Sequence, residues 1–396
     1  MQGQSGRLIS IAFSEIKSMK NVKNKAKILS KLMKIFTINA VIVLLVFISL
    51  ELIFRSIYPE FRNNIHGPDI TYGKHRIYSV KLDGFEGVRV RVPYSEYTIR
   101  KNRKTVLILG DSISEGYGSS YEDIYYVQFQ RLVNVTNVDS IQVVSLSGYG
   151  NNLSDAKKHL EKFFHSKHAH EVKVILYQYN YNDITPYGTK ELKSLETKGI
   201  RRTGFFEKLA KWRYRYMNKS VFFRVAQHYA GVFLRNRSGT CAERGLNALG
   251  PYTWSFGNES YKDQSEALWK ELQENLKKIK DISDSIGARF VIFISPILYD
   301  IDKAGHHPHY NSLNLDFSCA TINPKSRLKS IAKRLEIDVV DPTDYIKKHF
   351  DERIKEGNFT PFFFTADDNH FTPVSANYIA EYLFSYYKNS IVKVKP

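Results

Sequence analysis

From residue 104 onward the chain repeats one unit, a short apolar run of strand length followed by a segment of helical periodicity. The runs are 105–109, 141–146, 172–178, 289–295 and 337–341, and helical segments over 121–133, 153–165, 262–286, 324–335 and 373–388 lie between or after them. Short, continuously apolar strands read as buried on both faces, and strands joined through helices run parallel. The pattern predicts an α/β fold, a three-layer sandwich in which a five-stranded parallel sheet is covered by helices on both faces. In such a sheet ligands bind outside the carboxyl ends of the strands. The residues that follow each run are therefore where chemistry is expected.

Ahead of this domain the composition changes twice. Residues 1–34 carry eight Lys or Arg against the single acid Glu15, and form a basic, mildly amphipathic segment. The next stretch, Ile35 to Leu50, holds no charge, and its apolar pattern continues through Leu52, Ile53 and Phe54. Together they reach the length of about 20 residues that a membrane-spanning helix requires. The far end has no small-residue cleavage site, so 35–55 is expected to be an uncleaved signal anchor. The basic flank puts the N-terminus in the cytoplasm and exports the remainder, to a periplasm or cell surface. Residues 56–103 read as a connector, with Val88–Pro93 alternating like a short edge strand, and 104–396 as the globular domain.

The charge excess is local. Residues 201–237 hold ten Lys or Arg against Glu207 and, with the N-terminal segment, account for nearly all of the net charge of +18. That is not the uniform basic surface of a nucleic-acid-binding protein, and no nucleic acid partner is expected. The interval 184–261 is too long for a simple loop and reads as a helical insertion. Its basic and aromatic residues suit either an anionic glycan or lipid headgroup surface, or a solvated helical hairpin with its own small core. Cys241 and Cys319 are the only cysteines, which excludes a Cys-x-x-Cys zinc site. Outside the cytosol the two can pair.

The strand ends supply a set of reactive groups. After the first run comes Gly110-Asp111-Ser112, a glycine turn that places a serine where a nucleophile can act. After the second comes Gly148, whose N–H can face a ligand with no side chain in the way. After the third comes Asn180-Tyr181-Asn182-Asp183, with the Asn182 amide at the corresponding end. Near the C-terminus, Asp367-Asp368-Asn369-His370 precedes the last helical segment. These are parts for acyl transfer: Ser112 as nucleophile, His370 as base and then acid, Asp367 as its orienting carboxylate. The Ser112 and Gly148 N–H groups and the Asn182 amide would hold the oxyanion.

In these four blocks, and in their order, the chain resembles the SGNH (GDSL) hydrolases, over roughly 104–389. The resemblance implies a flavodoxin-like sandwich and a serine hydrolase that needs neither cofactor nor metal. The substrate class it implies is an O-acyl ester on a glycan or lipid. Two departures stand out. The third block begins with Asn180 where the family has glycine, and Asp368 competes with Asp367 as the histidine's partner. The Gly-x-Ser-x-Gly elbow of α/β-hydrolases is absent around Ser112. His306, His307 and His309 form a cluster, read as an exposed segment because Pro308 interrupts it. Asp341-Pro342 reads as a turn. Asn134-Val135-Thr136 is a glycosylation match that matters only in a eukaryotic secretory pathway. The expected activity is a membrane-anchored esterase or deacetylase. The alternatives are an O-acyltransferase acting on an envelope polysaccharide and a catalytically silent glycan-binding subunit.

Overall fold

The structure is a computed structural model. It describes residues 33–57, 78–82, 85–90, 103–116, 119–136, 140–148, 151–165, 172–184, 220–223, 225–226, 229, 252–258, 261–302, 317–360, 362–365 and 368–392. The chain divides into two units, Met1–Pro59 and Glu60–Pro396.

The first unit contains one described helix, α1 (Met33–Ile57), with a mean hydropathy of 2.5 over its most apolar window. None of that window is buried against protein. Two polar contacts are made within the helix. Thr37 Oγ1 donates to the Met33 carbonyl at 2.8 Å, and Arg55 Nε donates to Glu51 Oε1 at 2.8 Å. A helix of this length and apolar character has what a bilayer core demands.

In the second unit, β1 (Tyr78–Leu82) and β2 (Phe85–Val90) pair as an antiparallel ribbon. Of the alternating residues 88–93, Val88–Val90 thus belong to a separate two-stranded sheet, and 91–93 lie outside the described residues. The main sheet contains β3 (Lys104–Leu109), β4 (Ile141–Ser145), β5 (Val172–Tyr179), β6 (Arg289–Ile294) and β7 (Asp338–Val340). All its pairings are parallel, and the spatial order is β4-β3-β5-β6-β7. This is the doubly wound order in which the chain reverses direction about its first strand, so the crevice opens at the end of β3.

Strand periodicity divides the core. Val106 and Ile108 enter one apolar cluster and Leu107 and Leu109 the other, all nearly inaccessible. One face is covered by α4 (Leu153–Phe164), α6 (Lys262–Ser285) and α8 (Pro324–Arg334), the last two following α5 (Thr253–Phe256) and α7 (Leu298–Ile301) in the chain. The other is covered by α3 (Tyr125–Val135), α9 (Thr343–Lys355) and α10 (Pro373–Tyr386). Helix starts follow local chemistry. Asn152 and Asp155 form a reciprocal capping box on α4, and Thr372 caps α10 ahead of Pro373.

Helix α9 is an addition to the expected pattern. Asp341, read as a turn residue, begins it by accepting from Thr343 N at 3.1 Å and from Thr343 Oγ1 at 2.6 Å. A second addition is the antiparallel ribbon of β8 (Phe363–Thr365) and β9 (Asp368–Phe371). Of the 184–261 insertion, Tyr252–Phe256 is built into the core, where Tyr252 and Phe256 pack edge-on against Tyr181. Most of its basic and aromatic stretch lies outside the described residues, as does the 306–309 histidine cluster. Cys319 is disulfide-bonded; Cys241, the only other cysteine in the sequence, lies outside the described residues.

Candidate active site

Ser112 follows β3, an interior strand of the sheet, on a turn that leaves little room. A Cβ on Gly110 would stand 2.6 Å from Gln178 Oε1 and 2.8 Å from Ser114 Oγ, so only glycine fits. Asp111 is the N-cap of the short helix α2 (Ser112–Glu115), its carboxylate accepting from Ile113 N at 2.9 Å. Gly116 ends the helix at φ 78°, a left-handed conformation that favours glycine. Ser112 is thereby the first helical residue, where an N–H has no intrahelical acceptor. It is buried, yet neither its N–H nor its Oγ is engaged in a hydrogen bond among the described residues. Both are available to a ligand.

Gln178 lies under this turn. Its Oε1 accepts from Asp111 N at 3.3 Å and from Ser114 Oγ at 3.0 Å. Ser114 Oγ in turn shares a 2.6 Å hydrogen bond with Tyr125 Oη. Gln178, Ser114 and Tyr125 are all buried, and a network like this fixes one geometry because breaking it strands polar groups away from water. Sequence reasoning missed these residues. The available signal was a lone glutamine inside the apolar run of β5.

Asn180, the departure from the family pattern, has a defined role. Its Nδ2 donates to Asp111 Oδ2 at 3.3 Å, and its Oδ1 accepts from Tyr181 N at 2.8 Å. One side chain thus ties the turn after β5 to the turn after β3, a bridge that glycine cannot make. Asp183 holds the same turn from below, with its Oδ2 accepting from Tyr177 Oη at 2.7 Å and from Asn180 N at 2.8 Å. Burial pushes the Asp183 carboxyl well above the usual carboxylate range, and the neighbouring Asp111 adds to the shift. Burial also raises Asp111, against the bonds from Ile113 and Asn180 that pull it back.

The two other proposed oxyanion donors stand differently. Asn182 sits in the 3₁₀ turn Tyr181–Asp183 and, among the described residues, makes no side-chain hydrogen bond; its Oδ1 is buried without a partner there. Gly148 lies beside the first block, but its N–H already donates to the Gly110 carbonyl, at a long 3.4 Å. A ligand has to displace that weak bond to use it.

His370 is on β9, and β9 touches α2. The next residue, Phe371, is buried and packs edge-on against Tyr125 at 6.2 Å between ring centroids. Burial pushes the His370 pKa down to about 4. The imidazole is therefore neutral and able to accept a proton at neutral pH. Ser112 Oγ and His370 do not share a hydrogen bond here, as is common before substrate arrives. Asp367 lies outside the described residues, and of Asp368 only the backbone is described. Among the described residues no cluster of His, Cys, Asp and Glu can hold a metal ion.

No protein-family model matches the sequence, and no curated protein matches it. Solved structures with a similar course of chain do exist. One is TesA, with a TM-score of 0.37, 11% identity, and coverage of 72% of this chain and 98% of that one. A member of the lipolytic G-D-S-L family from Veillonella parvula has a TM-score of 0.37, 12% identity, and coverage of 72% and 99%. AlinE4, a SGNH-hydrolase family esterase, has a TM-score of 0.31, 9% identity, and coverage of 75% and 99%. At such low scores and identities the likeness assigns the chain neither a family nor an activity.

Proposed function

We propose that this chain is a membrane-anchored serine esterase of the SGNH type, removing an O-acyl group, and in particular O-acetyl, from a glycan or lipid. The observation that carries the reading is Ser112. Among the described residues its hydroxyl and N–H are both unengaged, at the carboxyl end of β3, beside the turn that carries Asn182 and in an element touching the strand that carries His370. Ser112 Oγ attacks the ester carbonyl while His370 takes its proton. The oxyanion accepts from Ser112 N–H, the Asn182 amide and Gly148 N–H, the last released from the Gly110 carbonyl. His370 then protonates the departing alcohol. Water attacks the acyl-serine with His370 as base, and Asp367 orients the imidazole throughout. Helix α1 anchors the enzyme with the catalytic unit outside the cytoplasm, where a disulfide at Cys319 persists.

The test uses the full chain in detergent micelles. p-Nitrophenyl acetate should be hydrolysed, and a fluorophosphonate probe should label the protein at Ser112; Ser112→Ala should lose both. Hydrolysis that survives in Ser112→Ala would overturn the reading. Acetate found on an added sugar acceptor, and not in solution, would make the protein a transferase.

The pH dependence gives a second check. With burial holding His370 at about 4, kcat/KM for p-nitrophenyl acetate should stay flat from neutral pH down past the ordinary histidine value and fall only toward about pH 4. An acid limb at or above the ordinary histidine value would mean that a carboxylate, Asp367, stabilises the imidazolium.

A further inference from the structure

Beyond Tyr179, Ile294 and Val340, where β5, β6 and β7 end, one network of side chains ties the following loops together. Tyr181 Oη donates to Asp300 Oδ2 at 2.9 Å. The same carboxylate oxygen accepts from Ile297 N at 3.2 Å and lies 3.3 Å from Lys325 Nζ, on α8. Lys325 also donates to Thr343 Oγ1, at the start of α9, and stands 3.9 Å from Asp341, which Lys329 pairs at 2.7 Å. The Asp300 and Lys325 side chains are only 11% and 18% exposed. Separating them would leave a charge uncompensated and largely out of water, so each holds the other in place. The network crosses the carboxyl ends of three neighbouring strands, and one end of it is the Tyr181 hydroxyl.

Tyr181 is the residue before Asn182, and each of its polar groups is engaged. Its N–H donates to Asn180 Oδ1 at 2.8 Å, its carbonyl accepts from Ser255 Oγ, and its hydroxyl is on Asp300. Its ring is fully buried, edge-on against Tyr179, Tyr252 and Phe256. The Asn182 amide has no such hold: among the described residues it makes no side-chain hydrogen bond. Its placement therefore depends on its two neighbours in the turn. Asp183 is fixed from the β5 side by Tyr177, and Tyr181 is fixed from the far side by Asp300. We infer that Asp300, held by Lys325, is a positioning residue for the Asn182 amide and acts through the Tyr181 hydroxyl. This rests on the esterase reading and extends it. An oxyanion donor has to stand about 2.7–3.1 Å from the developing charge, so a small tilt of this turn is felt in the transition state and hardly at all in substrate binding.

The experiment uses the full chain in detergent micelles with p-nitrophenyl acetate. Tyr181→Phe removes the hydroxyl and keeps the buried ring; kcat should fall about tenfold while KM changes less than about twofold. Asp300→Asn keeps an acceptor for that hydroxyl and should retain at least about a third of wild-type kcat. A residue that only stabilises the fold would lower turnover whatever stands at position 182. In Asn182→Ala no amide is left to position, so adding Tyr181→Phe should lower kcat further by less than about twofold. Wild-type kcat in Tyr181→Phe, an equal loss in Asp300→Asn, or the full loss in the Asn182→Ala background overturns the inference and leaves the esterase reading standing. If wild type cleaves no ester, the esterase reading alone fails, and NMR with isotopically labelled asparagine decides the inference. The Asn182 side-chain signal, identified by its absence in Asn182→Ala, should be single and sharp in wild type and Asp300→Asn, and split or broadened in Asp300→Ala. An unchanged signal in Asp300→Ala overturns the inference.

Discussion

His370→Ala is expected to lower kcat for p-nitrophenyl acetate by about 10⁴-fold, leaving only the residual rate that oxyanion donors and substrate binding provide. The same substitution should change folding in one direction only. In the native protein burial holds His370 at about 4, whereas in the unfolded chain it returns to the ordinary histidine value, close to 6.5. Between those values the unfolded state binds the proton and the native state does not. Wild-type stability is therefore fully present above the unfolded value and is lost as pH falls toward about 4. Alanine has no proton to bind, so the variant should lose less stability over that interval. Steady-state kinetics at neutral pH, combined with urea unfolding at stepped pH, read both effects. Near-normal turnover in the variant would remove His370 from the mechanism, and a parallel pH dependence of stability would show that the native pKa is not depressed.

Gly110→Ala is expected to cost about 1–3 kcal/mol of stability and about 10²-fold in kcat. The added methyl would stand 2.6 Å from Gln178 Oε1 and 2.8 Å from Ser114 Oγ, and both atoms belong to the network that supports the nucleophile. If Gln178 retreats, Asp111 N and Ser114 Oγ lose their acceptor and Ser112 moves with them. If it stays, the turn shifts. Adding Gln178→Ala removes the obstructing atom, so the double variant should be less destabilised than the two single costs combined. Strict additivity, measured by thermal or urea unfolding, would show that Gln178 is not what confines position 110.

The sheet was legible in the sequence because each of its strands is apolar over nearly its whole length, as in Arg289–Ile294, where five of the six residues are buried. Helix α9 was not legible for the converse reason. Its buried apolar side chains are mainly Ile346 and Phe350, set among charged residues, and periodicity needs more points than that. The β8–β9 ribbon escaped because a few residues on either side of a tight connection give no alternation to count. At the site, the residue types and their strand-end positions were readable, but the supports were not. Asn180 and Asp111 are 69 positions apart, and nothing in a sequence says that one short amide reaches the other. Likewise, Gly148 reads as an open N–H, whereas the structure has it leaning on the Gly110 carbonyl.

The nucleophile and the base are mounted on parts of different kinds. Ser112 is carried by an interior strand of the parallel sheet, held on both sides by neighbouring strands. His370 is carried by a two-stranded ribbon outside that sheet, fastened by Thr372 N to the Phe362 carbonyl at 3.0 Å, by Ser119 Oγ to the Phe371 carbonyl at 3.4 Å, and by Phe371 against Tyr125. Lifting the ribbon forfeits those attachments and the burial of Phe363 and Phe371, while dismantling the sheet forfeits the core. A folded but idle form of this protein therefore lies much nearer in free energy to the working form than the unfolded chain does. Heat, acid or denaturant should silence it well before the sheet comes apart.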